Sequence, residues 1–164
     1  MTEKIQTLKF RAKQKQKENK LFFKKLKKKK PGIVDEAIHP IHDEVFAETN
    51  CLDCANCCQT TSPLLTKKDI DRISKEIRKT PSQFISEHLE IDEDEDFVFQ
   101  STPCPFLLNS NYCSIYEIRP KACREYPHTN RRKFVQALDV TLKNLEICPA
   151  VFEIIERLKK QSRQ

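Results

Sequence analysis

Cys51-Leu52-Asp53-Cys54-Ala55-Asn56-Cys57-Cys58 gathers half of the eight cysteines of this 164-residue chain into eight positions. In a reducing compartment such a run is a metal site before it is a disulfide framework, because thiols stay reduced there and thiolates are the ligands of soft metals. The other four, Cys104, Cys113, Cys123 and Cys148, lie far downstream. Eight thiols supply two four-ligand sites.

Local geometry limits what the run does alone. On a helix, positions 51, 54 and 58 share a face, whereas 57 and 58 project about 100° apart. Either the run is a loop curling around a cluster, or Cys57 and Cys58 face two different centres. In both cases distant cysteines complete the coordination. Pro103-Cys104-Pro105 fixes the backbone on both sides of one of them, and Cys148-Pro149 closes the cysteine-bearing region. Arg119, Lys121 and Arg124 surround Cys123 in sequence, and such cations offset the net negative charge of a four-thiolate site.

The compartment is read from what the chain lacks. Residues 1–30 never go more than a few positions without Lys, Arg or Glu. They therefore hold no apolar stretch of the roughly 7–15 residues a secretory signal needs, and no run approaches the ~20 residues of a membrane span. A soluble, cytoplasmic protein with no membrane span is expected, with metal ligation preferred over disulfides. Charge is concentrated: residues 1–30 carry thirteen Lys or Arg against Glu3 and Glu18, a balance of +11, which leaves −5 for the rest. This lysine-rich arm, residues 1–32, ends at a Pro31-Gly32 turn. It reads either as a contact for RNA, ribosome or an anionic surface, or as a solvated extension, with Phe22 and Phe23 able to pack on the body.

Gly32 is the only glycine. Residues 33–164 therefore contain no phosphate-cradling loop and no dinucleotide fingerprint, which excludes nucleotide chemistry of those kinds. Tight hairpins also favour glycine, so the body is expected to be mainly α. Residues 33–48 predict two short helices or one kinked at Pro40. Thr66 with Asp69 caps a helix over 67–78, and Thr80-Pro81-Ser82-Gln83 repeats that grammar. Pro149 begins a final helix over 149–160. Asp92–Asp96 is an exposed loop rather than a calcium site, since it lacks the glycine and glutamate spacing of an EF-hand. Phe97-Val98-Phe99 is the best strand, expected to pair near Tyr112–Ile115. The fold class is thus a small, mainly α, metal-stapled domain over residues 33–164, with a short irregular or two-stranded β element and long loops.

The ordered blocks Cys51-x2-Cys54-x2-Cys57-Cys58, Pro103-Cys104-Pro105-Phe106-Leu107, Cys113 through Tyr126-Pro127, and Cys148-Pro149 resemble the YkgJ-type cysteine cluster (CxxCxxCC) family. Its members are described as zinc- or iron-chelating, and all eight cysteines match its pattern. The resemblance implies Cys51, Cys54, Cys57, Cys58, Cys104, Cys113, Cys123 and Cys148 as candidate ligands. A related cluster occurs in flagellin lysine methylases, where it looks like an iron–sulfur ligand set. No glycine-rich methyl-donor site accompanies it here.

Spacing leaves zinc and an iron–sulfur cluster open, because both take thiolates in C-x2-C pairs. Tyr116, Arg119, Arg124 and Tyr126 lie near the thiols in sequence and are expected to support ligand sulfur rather than catalyse. His39 and His42 flank the run as spare ligands. The first functional reading is a metalloprotein without nucleotide chemistry, with no catalytic residue assigned. The alternatives are an iron–sulfur redox protein or enzyme, and a zinc-stabilised RNA or protein interaction module.

Overall fold

A computed structural model describes residues 2–163; Met1 and Gln164, the outer ends of the expected arm and domain, lie outside the described residues. The chain divides into two compact units, one made of residues 1–54 with 127–164, the other of residues 55–126.

The first unit is helical. Helices α1 (Thr2–Gln14), α2 (Gln16–Leu26), α3 (Pro31–Ala47), α8 (Leu138–Asn144) and α9 (Pro149–Gln161) enclose one core. Val34, Ile38, Phe134, Leu138, Ile154 and Ile155 are buried in it together with Leu8, Phe23 and Leu26 from the basic segment. Lysine-rich though it is, that segment buries one stripe of apolar side chains, and Phe23 packs on the body. Charge secures the same contact. Lys159 of α9 is 4% exposed, with Nζ 3.0 Å from Glu18 Oε1 and 2.9 Å from Asn19 Oδ1. Lys15 pairs with Glu156, and the Arg11 guanidinium lies 4.5 Å from the centre of the Phe152 ring.

Of the two expectations for residues 33–48, the single helix is what forms, and it runs through Pro40. Its side chains at four- and three-residue spacing hold the segment that leads to Phe134. Asp35 accepts from the amides of Lys133 and Phe134, at 2.7 and 2.9 Å. His39 Nε2 donates to the Arg131 carbonyl (3.1 Å), and His42 Nδ1 is hydrogen-bonded to Thr129 Oγ1 (2.7 Å). Both histidines are thus engaged in packing the chain. Burial lowers the pKa of His42, whose ring also lies against Phe46.

The second unit is built on the two caps expected from sequence. Thr66 and Asp69 exchange bonds in a capping box that opens α5 (Lys67–Glu76), and Thr80 with Gln83 does the same for α6 (Pro81–His88). Ile70, Ile73 and Phe84 turn inward to meet Leu65, Leu89, Phe99 and Ile115; each such side chain contributes about 1.5–3 kcal/mol when fully buried. The strand at Phe97–Phe99 forms as expected, but its partners differ. β1 (Leu64–Leu65) and β2 (Leu89–Ile91) flank β3 (Phe97–Phe99) in an antiparallel sheet of order β1-β3-β2. Tyr112–Ile115 does not join it. Cys113 instead bridges to Leu107 across a local turn, where Leu108 N donates to Tyr112 O. Leu89–Ile91 and Leu107 are near partners, and closing a short loop costs less entropy; β1 pairs with β3 across 32 positions, from Leu65 to Phe97, so loop length does not decide that contact. Asp92–Asp96 is the exposed turn between β2 and β3. Asp92 Oδ1 accepts from the amides of Asp94 and Asp96, both at 3.0 Å, and Glu95 takes the positive φ (63°) that glycine usually supplies.

Asp69 reaches beyond its own helix. Its carboxylate is 1% exposed and accepts from Thr66, from Arg72 Nη2 (2.6 Å) and from the amide of Lys121 (3.0 Å) at the start of α7 (Lys121–Glu125). Burial opposes its ionisation, but the bonds from Thr66, Arg72 and Lys121 outweigh that and hold the carboxyl below its usual value. Replacing Asp69 with Ala leaves these donors unpaired and is expected to cost about 2–4 kcal/mol in denaturant unfolding near neutral pH. Because the folded pKa is depressed, this stabilisation is complete above the ordinary carboxylate pKa of about 4 and is lost as pH falls through the lower folded value. The gap between parent and variant should therefore narrow progressively below about pH 4.

Candidate metal centre

The cysteine run is not one helix. A 3₁₀ turn at Cys51–Asp53, capped by the Asn50 side chain, is followed by Ala55 in the left-handed region (φ 45°), and only then by α4 (Asn56–Thr60). The break at Ala55 is where the chain leaves the first unit for the second. Cys51 and Cys54 therefore belong to one unit, and Cys57 and Cys58 to the other.

Each unit brings a distant cysteine or cysteines to its share of the run. In the second unit the Cys104 amide donates to the Cys58 carbonyl at 2.8 Å, so the Pro103-Cys104-Pro105 corner is tied directly to α4. Cys104 and Cys113 pack against the core of this unit as half-buried groups, and Cys123 sits on α7. Ionising Cys58, Cys104 or Cys113 would raise the pKa of Cys123, which places the four thiols within electrostatic reach of one another. In the first unit Cys148, the residue capping α9, bears the same relation to Cys51 and Cys54. The eight cysteines thus sort into three and five, with Cys57 Sγ 3.9 Å from Cys58 Sγ.

Their electrostatics differ by position. Burial pushes Cys123 up to about 12, and Cys104 and Cys148 up to about 11, with neighbouring thiolates adding to the effect. Burial raises Cys113 too. Cys58 goes the other way, down to about 7, because the Cys57 thiol hydrogen-bonds to it, against the effect of burial. Arg119 lowers the pKa of both Cys113 and Cys123 by its charge. That guanidinium lies 3.8 Å from the centre of the Tyr116 ring, and Arg124 Nη1 donates to the Arg119 carbonyl at 3.3 Å. Tyr126 follows α7 and its amide donates to Ala122 O (3.0 Å).

Two supporting residues were not visible as such in the sequence. Arg72 donates to the carbonyls of Ile118 and Arg119, and Asp69 takes the Lys121 amide, so this ion pair orders the chain on the N-terminal side of Cys123. Asp69 in the first turn of α5, with Arg72 three residues on, was the only signal, and Asp69 read as a cap.

None of the eight cysteines is in a disulfide. Among the described residues no group of three or more His, Cys, Asp or Glu side chains is closed up as a metal site. The donor set nonetheless fits a thiophilic ion or cluster: it is rich in sulfur, half-buried at every cysteine but Cys51, and accompanied at Cys113 and Cys123 by Arg119. In metal-free, fully reduced protein near pH 7.5, alkylation followed by mass spectrometry should label Cys58 about tenfold or more faster than Cys104, Cys123 or Cys148. Uniform labelling of the four would contradict this ordering.

No curated protein and no solved structure matches the chain. Residues 50–148 match the family described as CxxCxxCC, "Putative zinc- or iron-chelating domain", a span that takes in all eight thiols, begins one residue before the first and ends on the last. The chain belongs to this family.

Proposed function

We propose that this is a non-enzymatic metalloprotein of a reducing, cytoplasmic compartment, whose thiols hold metal in two separate sets. Cys58, Cys104, Cys113 and Cys123 form the four-thiolate set of the second unit. Cys51, Cys54 and Cys148 form the set of the first, and Cys57 acts as the hydrogen-bond donor to Cys58. The observation that carries the reading is the mutual electrostatic influence of Cys58, Cys104, Cys113 and Cys123, none of them in a disulfide.

What the residues do follows from their placement. The Cys104–Cys58 backbone bond fixes the distance between the two chain segments that carry these thiols. Asp69 and Arg72 orient α7 and with it Cys123. Arg119, held over Tyr116, supplies positive charge where thiolates collect. A bound zinc ion or iron–sulfur cluster supplies the remaining countercharge and a permanent crosslink between these segments. Such a role calls for ligands that do not exchange, in keeping with the flanking prolines of Cys104.

Metal analysis with an absorption spectrum of anaerobically purified protein tests the reading. Bound metal is expected. Absorbance near 400 nm with about four irons per cluster identifies iron–sulfur, and a colourless protein carrying zinc identifies the structural ion. Cys123→Ser should abolish one centre and Cys148→Ser the other. Loss of one and the same centre in both variants would overturn the two-set division, and protein purified without metal would overturn the function. With free ion at a thousandfold over its Kd, chelation should remove about 4 kcal/mol of stability, or about 10 °C in thermal midpoint.

A further inference from the structure

The metal reading leaves the outward face of the basic segment without a role. The inward face is accounted for, since Leu8, Ala12, Asn19, Phe23 and Leu26 are buried. The helical ladder is carried through the junction of α1 and α2, where Lys15 N donates to Arg11 O and Asn19 N to Lys15 O. At 100° per residue, Phe10, Lys17, Leu21 and Lys24 then lie within about 60° of one another on the opposite side, with Lys13 and Lys20 beside them. The cations on this side are unneutralised. Lys15, Lys27 and Lys159 each have a carboxylate, whereas among the described residues Lys17, Lys20, Lys24, Lys28, Lys29 and Lys30 have none.

A second segment enlarges the patch. The Lys133 amide is 2.7 Å from Asp35 Oδ2, and Asp35 lies five residues beyond Lys30, about 7.5 Å along the helix axis. Exposed Arg131, Arg132 and Lys133 are thereby brought to the end of the structure where the lysine run finishes. Sequence separates these two groups of cations by a hundred residues; the Asp35 bonds join them.

Charge alone calls for a polyanion, and the exposed apolar side chains select which. Phe10 and Leu21 are each 64% exposed and Ile33 is 55% exposed, three of the four most exposed large hydrophobic residues among those described. A nucleic acid backbone engages the lysines but offers Leu21 and Ile33 nothing in which to bury. A bilayer with acidic headgroups takes both, the cations at the headgroups and the apolar side chains at the boundary with the acyl chains. We infer that this face docks on an anionic phospholipid surface.

The test uses the full chain with its metal as purified, sedimented with vesicles of phosphatidylcholine alone or with one third phosphatidylglycerol. Binding is expected only to the anionic vesicles, and it should weaken as salt rises from about 0.1 M to about 0.5 M. The variant K17Q/K20Q/K24Q/K28Q should bind at least about tenfold more weakly, and F10S/L21S should also lose affinity at unchanged charge. All six positions are exposed, so unchanged thermal melts are expected, and Ile33→Ser provides a second apolar variant. Equal binding to neutral vesicles overturns the proposal. So does full retention of affinity by both apolar variants, or a single-stranded RNA oligonucleotide that binds more tightly than the vesicles and displaces them.

Discussion

Thiols gathered in a half-buried space resist ionising together, and contacts in the second unit hold them there nonetheless. Burial and the neighbouring sulfurs both resist ionisation of Cys123, pushing it to about 12. A chain could relieve this by spreading the cysteines apart. Here the opposite is done: a backbone bond pins Cys104 to Cys58, and the Asp69–Arg72 pair pins the chain before Cys123. Arg119 offsets only part of the charge. Positive charge from a metal held there would offset the remainder, and fold and ion would then belong to one problem.

The first unit solves a different problem, that of burying a segment dominated by lysine. Leu8, Phe23 and Leu26 supply one apolar stripe, and Glu18 and Asn19 supply the partners that let Lys159 be buried on the facing helix. Removing water from an ammonium group is costly unless its donors are met, and two helices contribute to meeting them. Cys148 caps the same helix that carries Lys159. Docking of the basic segment and placement of one thiol therefore share a scaffold.

Much of this was legible in the sequence where physics is local. Thr66 with Asp69, and Thr80-Pro81 with Gln83, announced two helices that begin where the caps fall. Phe97–Phe99 announced a strand, and the acidic run announced an exposed turn. What failed was pairing. Phe97–Phe99 was expected beside Tyr112–Ile115, but it pairs with Leu64–Leu65 and Leu89–Ile91, because a strand carries no label for its partner. For the site, the cysteines were evident, as was the problem set by adjacent Cys57 and Cys58. Their assignment to the two units was not, since it rests on one left-handed residue, Ala55, whose identity gives no hint of that conformation. The reach of Asp69 to Lys121 spans 52 positions and leaves no local signal in the sequence.

The scarcity of glycine has a mechanical consequence. Among the described residues Ala55, Arg78, Glu95, Asn111, His128 and Lys133 all take positive φ, and none is glycine. A side chain in that region costs about 1–2 kcal/mol, less for asparagine. These bends are therefore not set by the residues that make them but imposed by what lies on either side: a capped strand pair around Glu95, Asp35 at Lys133, the cysteine turns around Ala55. The chain behaves as a set of sprung joints held shut by their neighbours. When a neighbouring anchor is released, each joint has its own reason to open, so loosening should begin at the corners rather than in the helices.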